Sequence, residues 1–236
     1  MASVREADGV SRRARIRVQM ARAGPGRIWV GDSSMSDHNE VVKITGADRP
    51  VLVTRRLRLE PLAEHHAEGV WRAVEASLSE LKQWMGWAGS ASREAQTKFV
   101  RDAESGWGRD GWIFAIVHRD EVIGTIGIDR YQPLIESAEV GYWLRSDSAG
   151  RGFMSEAAGA VVEWAFTTLG LHRLELHAGL DNTASIRIAE RLGFSRRGLL
   201  RHGAVNAWRH YDVEVFDLLA TDERPDSSSA QPQEDA

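Results

Sequence analysis

The stretch SDSAGRGFMSEAAGAVVEWAF, Ser146 to Phe166, sets Gly150 and Gly152 on either side of Arg151 and then runs into an apolar segment. From there Ala157, Val161, Trp164 and Thr168 fall on one face, with Ala158, Val162, Ala165 and Leu169 beside it, which is helical spacing. Two glycines at the mouth of a helix have two physical uses. They can make a tight strand-to-helix turn, or they can bare backbone N–H groups toward an anion. The first four amides of a helix lack internal partners and carry the positive end of its macrodipole, and glycine lets a phosphate approach them closely. Two nucleotide versions of the second use fit poorly. No Lys-Ser or Lys-Thr follows as in a P-loop, and Ser155 takes the place of the third glycine of G-x-G-x-x-G. Glu175 stands near the distance of a ribose-binding acid, but a dinucleotide fingerprint opens a parallel sheet, and here three antiparallel strands come first.

Working outward, VLVTRRLRLEPL alternates from Val51 to Leu59 as a strand stopped by Pro61. AEHHAEGVWRAVEAS and REAQTKFVRDAESGW carry helical spacing, as in Ala67, Val70, Trp71 and Val74. WIFAIVHRDEVIGTIGIDRY reads as two strands joined at HRDE, and SAEVGYWLR as a third. After the glycine-led helix come the strand HRLELHAGL, the helix NTASIRIAERL stopped at Gly193, a short strand after Phe194, and the strand YDVEVFDLLA. The order β-α-α-β-β-β-α-β-α-β describes a mixed α/β (α+β) domain whose central strand-helix-strand unit pairs in parallel.

Composition limits the chemistry. The chain has 236 residues, nine tryptophans, a net charge of −4 and no cysteine. Disulfides, thiolate metal sites and a cysteine nucleophile are therefore excluded. The charge gives no reason to expect a nucleic-acid partner. No run reaches the roughly 18 apolar residues of a membrane span, and no apolar segment follows the N-terminal arginines as in a secretory signal. The expectation is a cytoplasmic protein, monomer or homodimer. Residues 1–50 lack a sustained period and read as a flexible, disordered extension, with a start at Met35 one explanation and a basic nucleic-acid arm another. The domain spans 51–222, and the acidic, Ser/Pro-rich residues 223–236 read as a disordered tail.

EVGYWL, AGRGFMSEA, DNTASIRIAERLGF and YDVEVFDLL, in that order, resemble the GNAT acetyltransferases. With the N-terminal TRRLRLEPL and LKQWMGW they are most similar to the ribosomal-protein-alanine N-acetyltransferase (RimJ/RimL-type) branch, from about Thr54 to Leu219. The resemblance implies a mostly antiparallel sheet flanked by helices, with a central parallel pair that splays into a coenzyme cleft. It implies acetyl-CoA as co-substrate and no metal. The family's Gln/Arg-x-x-Gly-x-Gly/Ala loop falls on Ala149 to Met154, with Ala149 and Met154 departing from it. Gly150, Arg151, Gly152, Phe153 and Met154 would cradle the diphosphate, and a backbone N–H near Trp143 or Leu144 would meet the thioester oxygen. Asn182 would touch the pantetheine arm.

Direct attack of an amine on a thioester needs positioning, an oxyanion site, a proton acceptor and a proton for the thiolate. Glu139 shares a strand face with Gly141 and Trp143 and is the candidate general base; a salt-bridged strand carboxylate is the alternative, and Glu136 is a weaker candidate. Asn182 and Ser185 have the spacing of an ordinary N-cap and first turn; the resemblance implies that Ser185 lies near the sulfur as general acid, with Tyr211 in reserve. Trp84 and Trp87 are either walls of a substrate groove or core. His65, His66, His202 and His210 show no metal-ligand spacing. Three functions stay open: an N-acetyltransferase of a protein or peptide α-amine, one acting on a small molecule such as an antibiotic, polyamine or toxic peptide, and a non-catalytic acyl-CoA sensor.

Overall fold

The computed structural model describes residues 49–224. The expected extension, apart from its last two residues, and nearly all of the expected acidic tail lie outside the described residues. The elements are β1 (Leu52–Val53), β2 (Arg58–Pro61), α1 (Ala67–Glu75), α2 (Leu78–Trp84), α3 (Arg93–Gly106), β3 (Trp112–His118), β4 (Glu121–Gln132), β5 (Ser137–Leu144), α4 (Phe153–Thr167), β6 (Arg173–Gly179), α5 (Thr183–Arg191), β7 (Ser195–Val205) and β8 (His210–Leu219). They form one sheet in the order β1-β2-β3-β4-β5-β6-β8-β7. All pairs are antiparallel except β5 with β6. The mixed, mostly antiparallel sheet around a parallel β-α-β unit is the architecture expected.

Each face of the sheet carries its own core. On one side Phe114, Ile116, Ile126, Ile128 and Val140 pack beneath α4 and α5, with Ala157, Val161 and Ala189 fully buried. On the other, Ala115, Val117 and Trp143 pack with Val70, Ala73 and Val74 of α1 and with Leu81 and Val100 of α2 and α3. Strand alternation sorts neighbours between the two cores. Burying a Val, Leu, Ile or Phe side chain contributes about 1.5–3 kcal/mol, so both layers hold the sheet in place.

Three elements differ from the sequence reading. The strand expected over 51–59 breaks into β1 and β2, because Thr54 closes a turn, its N–H donating to the Leu57 carbonyl at 2.9 Å. The tryptophan-bearing LKQWMGW begins with the last four residues of α2, a helix too short and too mixed to show a helical period. The strand after Phe194 is long, 11 residues, and almost wholly exposed, so it has no apolar alternation to announce it. Among the described residues no helix is long and apolar enough to cross a membrane.

Candidate active site

The site begins where two parallel strands part. β5 and β6 pair at Ser137↔Arg173, Ala138↔Leu174 and Glu139↔Glu175, and no further. β5 continues against β4 as far as Leu144, while β6 continues against β8 as far as Gly179. The edges beyond Glu139 therefore diverge. Amide direction alternates along a strand. The Glu136 carbonyl accepts from His172 and Arg173 of the β6 side, and Arg145 N–H donates to Ile123 on the β4 side. Even-numbered residues thus turn their backbone toward the gap. Of the two oxyanion positions expected, Leu144 faces the gap and Trp143 faces β4; Val140 and Tyr142 join Leu144 on the open edge.

A cavity of about 600 Å³ opens at this divergence. Glu139, Asn182 and Ser185, named from sequence, all line it, as do Trp84, Trp87 and Trp143.

The glycine loop lies at the head of α4. Gly150 and Gly152 have φ of 73° and 75°, the left-handed region that favours glycine, and Gly152 is the N-cap of the helix. A Cβ on Gly150 would meet nothing within 4 Å, so the loop presents bare backbone. The amides of Gly150, Arg151 and Gly152 donate to no backbone carbonyl among the described residues. Phe153 and Met154 are buried, so only their N–H groups can serve a ligand. Arg151 lies over the Phe153 ring at 4.9 Å, and Arg56 lies over it at 4.5 Å.

Arg56 escaped the sequence reading. Its Nη1 donates to the Arg151 carbonyl at 2.9 Å, and its Nε to Glu156 at 2.6 Å. Glu156 also accepts from Thr54 Oγ1 at 2.6 Å and from Arg56 N–H at 2.8 Å. The β1–β2 turn is thereby tied to the glycine loop, and Arg56 adds a cation to the positive end of α4. Nothing in the sequence links residues 100 positions apart.

Glu139 is a half-covered carboxylate. Arg130 Nη1 donates to it at 2.7 Å, and His177 Nδ1 lies 3.7 Å away. Burial pushes its pKa up, opposed by His177 and Arg130. It is salt-bridged and lines the cavity as well, so the two readings of it are compatible. His177 sits between Glu139 and Glu175, its Nε2 3.4 Å from the latter; the sequence offered no sign of this link.

Asn182 caps α5, its Oδ1 accepting from Ser185 N–H at 3.1 Å. The cap consumes the amide oxygen and leaves the NH2 group for a ligand. Tyr142, also missed, lines the cavity with a hydroxyl that is buried without a hydrogen-bond partner. Tyr211 donates to the Trp84 carbonyl at 2.7 Å, which commits its proton. Trp84 meets the Tyr211 ring edge-on at 6.3 Å, and Trp87 meets Trp143 at 6.2 Å. Trp87 is partly exposed, so these rings both pack and wall the cavity.

Glu60, His65 and His66 gather three possible ligand atoms within 4.8 Å, a proximity that residue spacing did not reveal. His66 Nδ1, however, accepts from Ala63 N–H at 3.2 Å, so its proton sits on Nε2, 3.1 Å from Glu60. That tautomer leaves no lone pair on Nε2 for an ion, and the histidine serves as a helix-entry brace.

Residues 56–195 match the family model described as an acetyltransferase (GNAT) domain. The chain is 27% identical to the ribosomal-protein-serine acetyltransferase of Escherichia coli, over 70% of this chain and 94% of that protein. It is 30% identical to the uncharacterized N-acetyltransferase YoaA of Bacillus subtilis, over 72% of this chain and 97% of that protein. Among solved structures, RimL, a ribosomal α-N-protein acetyltransferase in complex with coenzyme A, shares the fold with a TM-score of 0.65 and 22% identity, over 72% of this chain and 98% of that one.

Proposed function

The chain belongs to the GNAT acetyltransferase family, and from that premise we propose that it moves an acetyl group from acetyl-CoA to the α-amine of a protein or peptide N-terminus. The observation that carries this reading is the parting of β5 from β6 immediately after Glu139, with Glu139 and Ser185 lining the same cavity. In this reading the diphosphate rests on the Gly150–Met154 amides and pantetheine enters the gap, with Asn182 against its arm. The likeness to the relative solved with coenzyme A supports that placement. The amine, at the end of the cavity walled by Trp84 and Trp87, attacks the carbonyl carbon directly. Leu144 N–H holds the oxyanion, Glu139 takes the amine proton through water, and Ser185 attends the leaving sulfur.

Calorimetric titration with acetyl-CoA, followed by thiol release over a panel of amines, tests the proposal. Binding with turnover on N-terminal peptides supports it. Turnover confined to small amines such as polyamines replaces the acceptor, and binding without turnover on any amine makes the protein a sensor.

A further inference from the structure

Five buried polar side-chain atoms have no hydrogen-bond partner among the described residues: Trp112 Nε1, Trp164 Nε1, Arg173 Nε, His177 Nε2 and Tyr142 Oη. The two indoles belong to one aromatic cluster, their rings 6.3 Å apart. Arg173 and His177 each lie beside a carboxylate, Asp217 at 3.2 Å and Glu175 at 3.4 Å. Tyr142 has no such charge, and it lines the cavity. A buried hydroxyl left unpaired costs folding free energy, so its presence calls for a partner that arrives with a ligand.

Its place says which part of the ligand. Tyr142 lies three positions past Glu139 on the diverging edge of β5. Alternation turns its ring away from the Glu139 face and toward the α4–α5 core. Ser185, in the first turn of α5, lies near enough to oppose the rise in its pKa, although the two hydroxyls make no hydrogen bond. Glu139 therefore borders the gap from one side, and Tyr142 with Ser185 from the other.

We propose that the Tyr142 hydroxyl donates a hydrogen bond to the sulfur of the acetyl thioester as it leaves, acting together with Ser185. This rests on the acetyl-transfer reading above. As the amine nitrogen bonds to the carbonyl carbon, the carbon–sulfur bond breaks and its electron pair passes to sulfur. The amine proton moves to Glu139 through water. Tyr142 keeps its own proton and holds the negative sulfur, which is protonated from Glu139 through water as the coenzyme departs, so the proton lost by the amine is the one gained by the thiol. Burial pushes the Tyr142 hydroxyl up to about 12, with Ser185 opposing. The phenol is thus a neutral donor throughout the neutral range and a poor acid, which suits stabilisation rather than proton transfer.

The test compares wild type with Tyr142→Phe in three measurements: acetyl-CoA affinity by calorimetry, kcat with the best amine of the panel, and the melting temperature without ligand. The expected result is acetyl-CoA affinity within about threefold, kcat lowered at least about tenfold, and a melting temperature equal to or above wild type, because the change deletes an unpaired hydroxyl. A kcat within about twofold of wild type, or a melting temperature that falls together with the rate, would overturn the inference; the second result would make the tyrosine structural. A wild-type protein that releases no thiol with any amine would overturn the transfer reading on which the tyrosine's role rests.

Discussion

Glu156, in the first turn of α4, accepts from both the backbone N–H and the Nε of Arg56, 100 positions earlier in the chain, at 2.8 and 2.6 Å. This pair connects the opening strands to the glycine loop, since the same guanidinium donates to the Arg151 carbonyl. Burial pushes the Glu156 carboxyl up, but hydrogen bonds from Thr54 and from the side chain and backbone of Arg56 together hold it below the ordinary carboxylate value.

A carboxyl whose folded pKa is depressed contributes stability that is present above its unfolded pKa, about 4.3, and lost as pH falls through the folded value. Glu156→Gln should therefore lower stability by about 1–3 kcal/mol at pH 7, with the gap to wild type closing below about pH 4. Urea unfolding at pH 7 and pH 3.5 measures it. A gap that is equal at both values would show that the charge of Glu156 is immaterial.

Gly152→Asp addresses the loop itself. Asp tolerates a left-handed conformation better than most residues, so the fold should persist. Its carboxylate would repel a diphosphate at the head of α4. Acetyl-CoA affinity should fall at least about tenfold, about 1.4 kcal/mol, as read by calorimetry. Unchanged affinity in the folded variant would remove the phosphate role from the loop.

Glu139→Gln tests the base. Burial raises the pKa of Glu139 against the pull of His177 and Arg130, so the wild-type rate should rise with pH as this carboxyl ionises. The variant should lose about 100-fold in kcat near pH 7, less above about pH 8 where the amine is already neutral, and should lack that acidic limb. A variant with the wild-type pH–rate profile would exclude Glu139 as the base.

Much of this site was legible in sequence because period and order carried it. The helical spacing from Ala157, the strand SAEVGYWL and the Asn182-x-x-Ser185 helix start are local patterns. They placed Glu139 and Ser185 on one cavity and the glycine loop at the head of α4. The rest depends on contacts between distant segments. Arg56 meets Glu156 only because the β1–β2 turn folds against α4, and His177 reaches Glu139 only because β5 and β6 pair in parallel. The empty hydrogen-bonding position of Tyr142 is a property of packing, with no signature in residue order. The length of β7, expected as a short strand, escaped because both of its faces are exposed, so nothing selected an alternating pattern.

The acceptor can be distinguished by amine basicity. A chain α-amine has a pKa of about 7.7–8.0 against about 10.4 for lysine, so at pH 7 roughly a tenth of α-amines, but under about a thousandth of lysine side chains, are neutral and nucleophilic. A site with a single partly covered carboxylate as its base is suited to the first. The most direct measurement is thiol release from acetyl-CoA with two peptides of one sequence, one with a free small N-terminal residue and no lysine, the other N-blocked with an internal lysine. The account expects faster release with the free N-terminus, and the mass of one acetyl group on that peptide. Faster acetylation of the N-blocked lysine peptide would contradict it.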